Sequence, residues 1–347
     1  MQELLLPIIT SFIIVILATP SFIKVAIYKR LFDTPDGDRK LHVRNVPSMG
    51  GIMIFAGTLF AFSLWYPSET TREFNYLIPC MLILFFVGMK DDIIGTTPAK
   101  KLLSHLVVAF IMVLMANIKI TSLHGLFGIR EIPEYAGVFL SVFTYIVVVN
   151  AFNLIDGIDG LAATVGLVAS CVFGVWFYFA EDMVFSVLAF SLAGALFAFL
   201  FFNFAPAKIF MGDSGSLTIG FIVSVLAIEM VEFDKEALPN NIYNISRPVL
   251  SMSVLVYPLM DTLRIFIYRS LKGVSPFSAD KNHIHHQLLR LGMNHRHIVA
   301  CVFIYNLIIV GLTITLQHLQ PSVTFGIVFG VAVVLAQVPF FFKVKKA

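Results

Sequence analysis

The chain has 347 residues, 58% of them apolar and 13% charged, with a formal net charge of +3. Soluble domains carry roughly 45–50% apolar and 25% charged residues, so a water-soluble globule is excluded. At about 20 apolar residues per bilayer crossing, eleven spans are predicted, near residues 4–27, 48–66, 75–89, 101–118, 135–152, 161–179, 184–203, 215–231, 248–268, 298–317 and 322–342. They leave nothing the size of a soluble domain. Residues 1–347 therefore read as one all-α membrane domain, a polytopic helical bundle.

No Lys or Arg precedes the first run, and its length exceeds the 7–15 residues of a secretory signal's apolar region. It reads as a retained span. Cys80, Cys171 and Cys301 fall singly inside spans, where a thiol packs as a small apolar side chain. Eleven alternating crossings put nineteen Lys and Arg on one side, among them Lys24, Arg39, Lys40, Arg44, Lys90, Lys101, Arg269, Lys281 and Lys343. The other side has five: Arg72, Lys119, Arg130, Lys235 and Arg247. The positive-inside rule then places the N-terminus outside and the C-terminus in the cytoplasm. A basic inner face attracts anionic lipid and phosphorylated solutes, although the same bias is common to membrane proteins that bind neither.

Five cytoplasmic connections hold nearly all the residues capable of chemistry: Arg30–Pro47, Asp91–Lys100, Asn153–Gly160, Ala205–Ser214 and Arg269–His297. Asp91 and Asp92 end the third span at the negative pole of its helix dipole, an unfavourable place without a cationic or donor partner. Lys90, Lys100 and Lys101 are the candidates. After the fifth span, Asn150, Asn153, Asp156 and Asp159 recur every three residues. Gly157 and Gly160 are expected to break the helix there and let backbone N–H groups approach phosphate. In Phe210-Met-Gly-Asp213-Ser-Gly-Ser216, Asp213 is either the N-cap of the eighth helix or a carboxylate beside a phosphate bound at that N-terminus, a setting for Mg²⁺. Phe210 is core packing or a stacking surface for a base. In Asp280-Lys-Asn-His283-Ile-His285-His286, cationic or hydrogen-bonding contacts to phosphate fit better than a zinc site, whose ligands are more widely spaced.

Ser48-Met-Gly-Gly51, Asp91-Asp92, Asn150-Ala-Phe-Asn-Leu-Ile-Asp-Gly-Ile-Asp-Gly-Leu161, Phe210-Met-Gly-Asp-Ser-Gly-Ser216 and His283-Ile-His-His286, in this order, resemble the signature blocks of the polyprenyl-phosphate N-acetylhexosamine-1-phosphate transferases. The His-Ile-His-His form is similar to the branch using UDP-N-acetylglucosamine; the muramoyl-pentapeptide branch ranks second. The resemblance implies transfer of a sugar 1-phosphate from a UDP-N-acetylhexosamine to undecaprenyl phosphate, with Mg²⁺, or Mn²⁺ in its place, in an inner membrane and with no nucleic-acid partner. A homodimer is compatible with it. It also implies Asp213 as a Mg²⁺ ligand with Asn153 beside it, and Lys101 on phosphate. Asn203, Phe210 and Asp159 fall at nucleoside positions, and Asp156, His283, His285 and His286 at the diphosphate. A further acid common in the family is Gly95 here, so its role is dropped.

Phosphoryl transfer depends mainly on positioning and on neutralising charge. A phosphate monoester, with a second pKa near 6, is largely dianionic at neutral pH, so Asp91 is left as base, positioner or metal ligand. Two other readings are weaker. In a CDP-alcohol phosphotransferase the expected Arg would stand where Thr164 does, and an ion-coupled transporter places its acids near the midplane of repeated halves.

Overall fold

A computed structural model gives the fold and describes residues 2–31, 46–67, 74–240, 242–273 and 283–342. Hydrocarbon offers no water to backbone N–H and C=O groups, so an apolar chain satisfies them internally as helix. The described residues form α1 (Gln2–Tyr28), α2 (Gly51–Trp65), α3 (Phe74–Ile94), α4 (Pro98–Phe110), α5 (Glu134–Ile155), α6 (Leu161–Phe179) and α7 (Met183–Asn203). They continue as α8 (Asp213–Glu232), α9 (Arg247–Val254), α10 (Val256–Leu271), α11 (Ile284–Arg290), α12 (His295–Thr315) and α13 (Pro321–Phe341). A π-helical turn, Ile111–Met115, extends α4.

Every predicted span coincides with helix, with one correction. The ninth is not one rod: α9 and α10 meet at a 78° bend. Among the described residues, eight helices are long and apolar enough to cross a bilayer, and the bent pair makes nine; α2 has only 15 residues. Of the residues named above, Arg39, Lys40, Arg44, Arg72, Asp280, Lys281, Asn282 and Lys343 lie outside the described residues.

α8 is the axis of the bundle, with 94% of its span buried. α3 and α5 pack on it, and α1, α2, α6 and α7 pack among themselves beside it. Between membrane helices, where apolar burial drives little, small residues permit close approach. Gly51, at the start of α2, lies against the backbone of Gly215 so closely that a Cβ there would collide with it. A short ladder locks the same seam: Phe210 N donates to Pro47 O at 2.8 Å, Gly50 N to Phe210 O at 2.9 Å and Gly51 N to Met211 O at 2.8 Å. The Ser48-Met-Gly-Gly51 block therefore fixes the loop that enters α8.

Candidate active site

The site forms where α3 ends and α8 begins. Gly212 takes the N-cap place of α8 (φ 74°) and has no side chain to cap with. Asp92 supplies the cap from α3: its carboxylate accepts from Asp213 N at 2.7 Å, Ser214 N at 3.1 Å and Ser214 Oγ at 2.7 Å. This corrects two expectations. Asp213 is not the N-cap, and the first amides of α8, read from sequence as a phosphate site, are bound to Asp92. It also resolves the dipole conflict, because the acid at the negative end of α3 lies at the positive end of α8. A Cβ on Gly212 would stand 2.7 Å from both Asp92 carboxylate oxygens, so glycine is required there for space as well as for its φ.

Relieved of capping, the Asp213 side chain points elsewhere. Its Oδ1 accepts from Asn153 Nδ2 at 2.9 Å, and the same amide lies 3.0 Å from Ser216 Oγ. Its Oδ2 forms an ion pair with Lys101, whose ammonium is also 2.9 Å from Asp91 Oδ2. Of the three candidate lysines, Lys101 is thus the partner of Asp91, and α3, α4, α5 and α8 each send one group to a single point. The predicted companion Asn153 reaches Asp213 as a donor that orients it.

α5 ends at Ile155, as expected from the glycines, and Gly160 opens α6 at φ 79°. In the turn between them, burial raises the Asp156 carboxyl well above its ordinary pKa, helped by the charges of Asp213 and Asp92. Asp159 is buried. It accepts from Ala207 N at 3.1 Å and lies 3.3 Å from His295 Nδ1 at the start of α12. Asn203 accepts from Gly160 N at 3.0 Å and donates to Ile209 O at 2.9 Å. These two predicted nucleoside residues therefore tie the turn to the 205–209 loop. Phe210, half-buried, enters the same loop through its backbone ladder.

The histidine block is held by a residue that the motif reading did not include. Asp261, fully buried on α10, accepts from His283 Nδ1 at 2.7 Å and from Ile284 N at 2.7 Å. Tyr257 OH lies 3.5 Å from His285 Nδ1, and a Cβ built on Gly157 would stand 3.3 Å from His285 Nε2, which brings the block to the acidic turn. His286 is the half-buried member of the three. Burial lowers His285 from 6.5 to about 3, so it is a neutral hydrogen-bonding group and not the cation allowed for above. Since the unfolded ring binds a proton below 6.5 and the folded one does not, stability contributed here is complete above 6.5 and is lost as pH falls towards 3. The melting temperature in detergent should drop between about pH 7 and about pH 5, and His285→Gln should flatten that drop; equal slopes would contradict the assignment.

Magnesium, which the resemblance implies, fits this donor set. Asp213 Oδ2 and Asp91 Oδ2 are hard oxygen donors that converge on one cationic point, the Lys101 ammonium. Mg²⁺ usually takes one or two carboxylates plus substrate phosphates. Among the described residues no three His, Cys, Asp or Glu gather into a closed metal cage, the histidine block included.

The glycosyl transferase family 4 profile matches residues 74–231. An undecaprenyl-phosphate alpha-N-acetylglucosaminyl 1-phosphate transferase of Salmonella typhi is 33% identical over 90% of this chain and 85% of its own. The chain belongs to glycosyl transferase family 4. Another relative of that name, from Escherichia coli O157:H7, is 30% identical over 95% of this chain and 90% of its own. A decaprenyl-phosphate N-acetylglucosaminephosphotransferase of Mycolicibacterium smegmatis is 31% identical over 87% and 80%. The family 4 match runs from α3 to α8 and so contains the Asp91, Asp92, Lys101, Asn153 and Asp213 constellation.

Proposed function

We propose that this family 4 member transfers N-acetylglucosamine 1-phosphate from UDP-N-acetylglucosamine to undecaprenyl phosphate, giving the lipid pyrophosphate-linked sugar and UMP. The observation that carries the reading is the convergence of Asp91 and Asp213 on Lys101 at one end of an apolar bundle. A charged site at a bilayer surface suits one substrate from water and one from lipid. The names of the relatives carry a polyprenyl phosphate and a transferred N-acetylglucosamine phosphate. The reading includes eleven crossings, with the site and the C-terminus on the cytoplasmic side of a bacterial inner membrane.

In the reaction an oxygen of the lipid phosphate attacks the sugar-bearing phosphorus of the nucleotide, and the anhydride bond to UMP breaks. Bound Mg²⁺, held by Asp213 and Asp91 with the substrate phosphates, would supply neutralisation of the charge on the transferred group. Lys101, between the same carboxylates, adds a fixed positive charge for that group. The protein otherwise positions: Asn153 fixes Asp213, Asp92 fixes the loop before it, and Asp261 fixes the histidines. Neutral His285 contributes hydrogen bonds next to the turn carrying Asp156. Because the acceptor is largely dianionic at neutral pH, orientation by Asp91 matters more than proton removal.

Purified protein in detergent should release UMP from UDP-N-acetylglucosamine only when given undecaprenyl phosphate and Mg²⁺, and the product lipid's mass should carry the added sugar phosphate. UMP release without the lipid, or none in any combination, would reject the reading. A transporter, the alternative class, would show activity only in sealed vesicles.

A further inference from the structure

One turn beyond Lys101 on α4 lies His105, buried at 3% exposure. Residues four apart share a helix face and lie about 6 Å apart along the axis, so His105 sits on the Lys101 face but deeper in the bundle. Asn150 and Asn153 stand one turn apart on α5. The two helices thus make two polar rungs: Lys101, Asp213 and Asn153 above, His105 and Asn150 below. In the lower rung Asn150 Nδ2 donates to Ile146 O at 2.7 Å and lies 3.2 Å from His105 Nδ1. An amide nitrogen only donates, so His105 Nδ1 accepts and the ring proton is on Nε2. That Nε2–H is buried and has no hydrogen-bond partner. An unmade buried donor is costly, and here it belongs to a ring one helical turn from Lys101.

We propose that His105 Nε2–H binds a phosphate oxygen of the polyprenyl phosphate acceptor. This deepens the function proposed above and rests on it. The acceptor's phosphate is tethered to a chain in the bilayer and reaches Lys101 from the membrane side, where the lower rung lies. The sugar nucleotide arrives from water and meets the loops first. A neutral donor suits this depth, since it adds a hydrogen bond to phosphate without burying a second cation beside Lys101. Asn150, the first of the amides and acids that recur every three residues, then acts through His105 by fixing its tautomer.

His105→Met removes the donor at similar size, and His105→Gln returns an amide N–H near the same place. With H105M the KM for undecaprenyl phosphate should rise about tenfold, the loss of one hydrogen bond to a charged group, while the KM for UDP-N-acetylglucosamine stays unchanged. H105Q should restore most of the loss. Should H105M fail to fold, H105N, whose amide falls one methylene short, carries the same expectation. A readout independent of turnover is thermal stabilisation by farnesyl phosphate but not farnesol, present in the wild type and H105Q and lost in H105M. An unchanged acceptor KM, or both KM values rising together without rescue by Gln, would assign His105 to packing. If the wild type releases no UMP, the proposed reaction fails, whereas the farnesyl phosphate shift still tests His105.

Discussion

Asp213→Asn should lower kcat at least about 10²- to 10³-fold, the usual effect of removing one preorganised electrostatic group from a reacting centre, while the bundle remains folded. The reason is geometric. Asn keeps the volume and an oxygen for Asn153, but Lys101 loses one of its two carboxylates, and Mg²⁺ is offered one charged ligand instead of two. Asp213 caps nothing, because Asp92 holds the amides of α8, so helix stability is unaffected. The checks are UMP release as a function of Mg²⁺ and a melting curve in the same detergent. Near-normal turnover with an unchanged Mg²⁺ requirement would remove Asp213 from the centre.

Asp92→Ala should behave differently, losing activity and stability together. It leaves two amides and the Ser214 hydroxyl without their acceptor in a part-buried place. Loss of a cap costs about 1–2 kcal/mol, and each buried donor left unmade about 1–3 kcal/mol, so the expected destabilisation is about 2–4 kcal/mol. Gly212→Ala should reproduce it in part, by pressing a methyl group onto the same carboxylate. Thermal unfolding of both variants beside Asp213→Asn separates the roles. If Asp92→Ala melts like the wild type, the carboxylate is not a structural cap and belongs with the reacting groups.

Much of this was legible in the residues. Apolar runs of bilayer length have one outcome in hydrocarbon, and the positions of all eleven agree with helices. The pairing of Asn153 with Asp213 and the phosphate role of Lys101 came from the resemblance to the family, and the structure adds that Asp91 and Asp213 meet on Lys101. The division of labour between neighbours was not legible. Asp91 and Asp92 are adjacent and chemically alike, yet one faces Lys101 and the other caps α8, because successive side chains on a helix point about 100° apart. Asp261 was missed because it lies inside an apolar run with no flanking signature; an acid buried in a span was the available signal. His105 carried another, its four-residue spacing from Lys101. The bend at α9 and α10 had a signal in Pro258, which has no N–H for the carbonyl of Val254 and so ends α9 there.

The seam between Gly51 and Gly215 bears on how such an enzyme can change its sugar. Two backbones in direct contact have no slack, so natural or laboratory variation at residues 47–51 and 210–215 breaks the scaffold before it alters substrate choice.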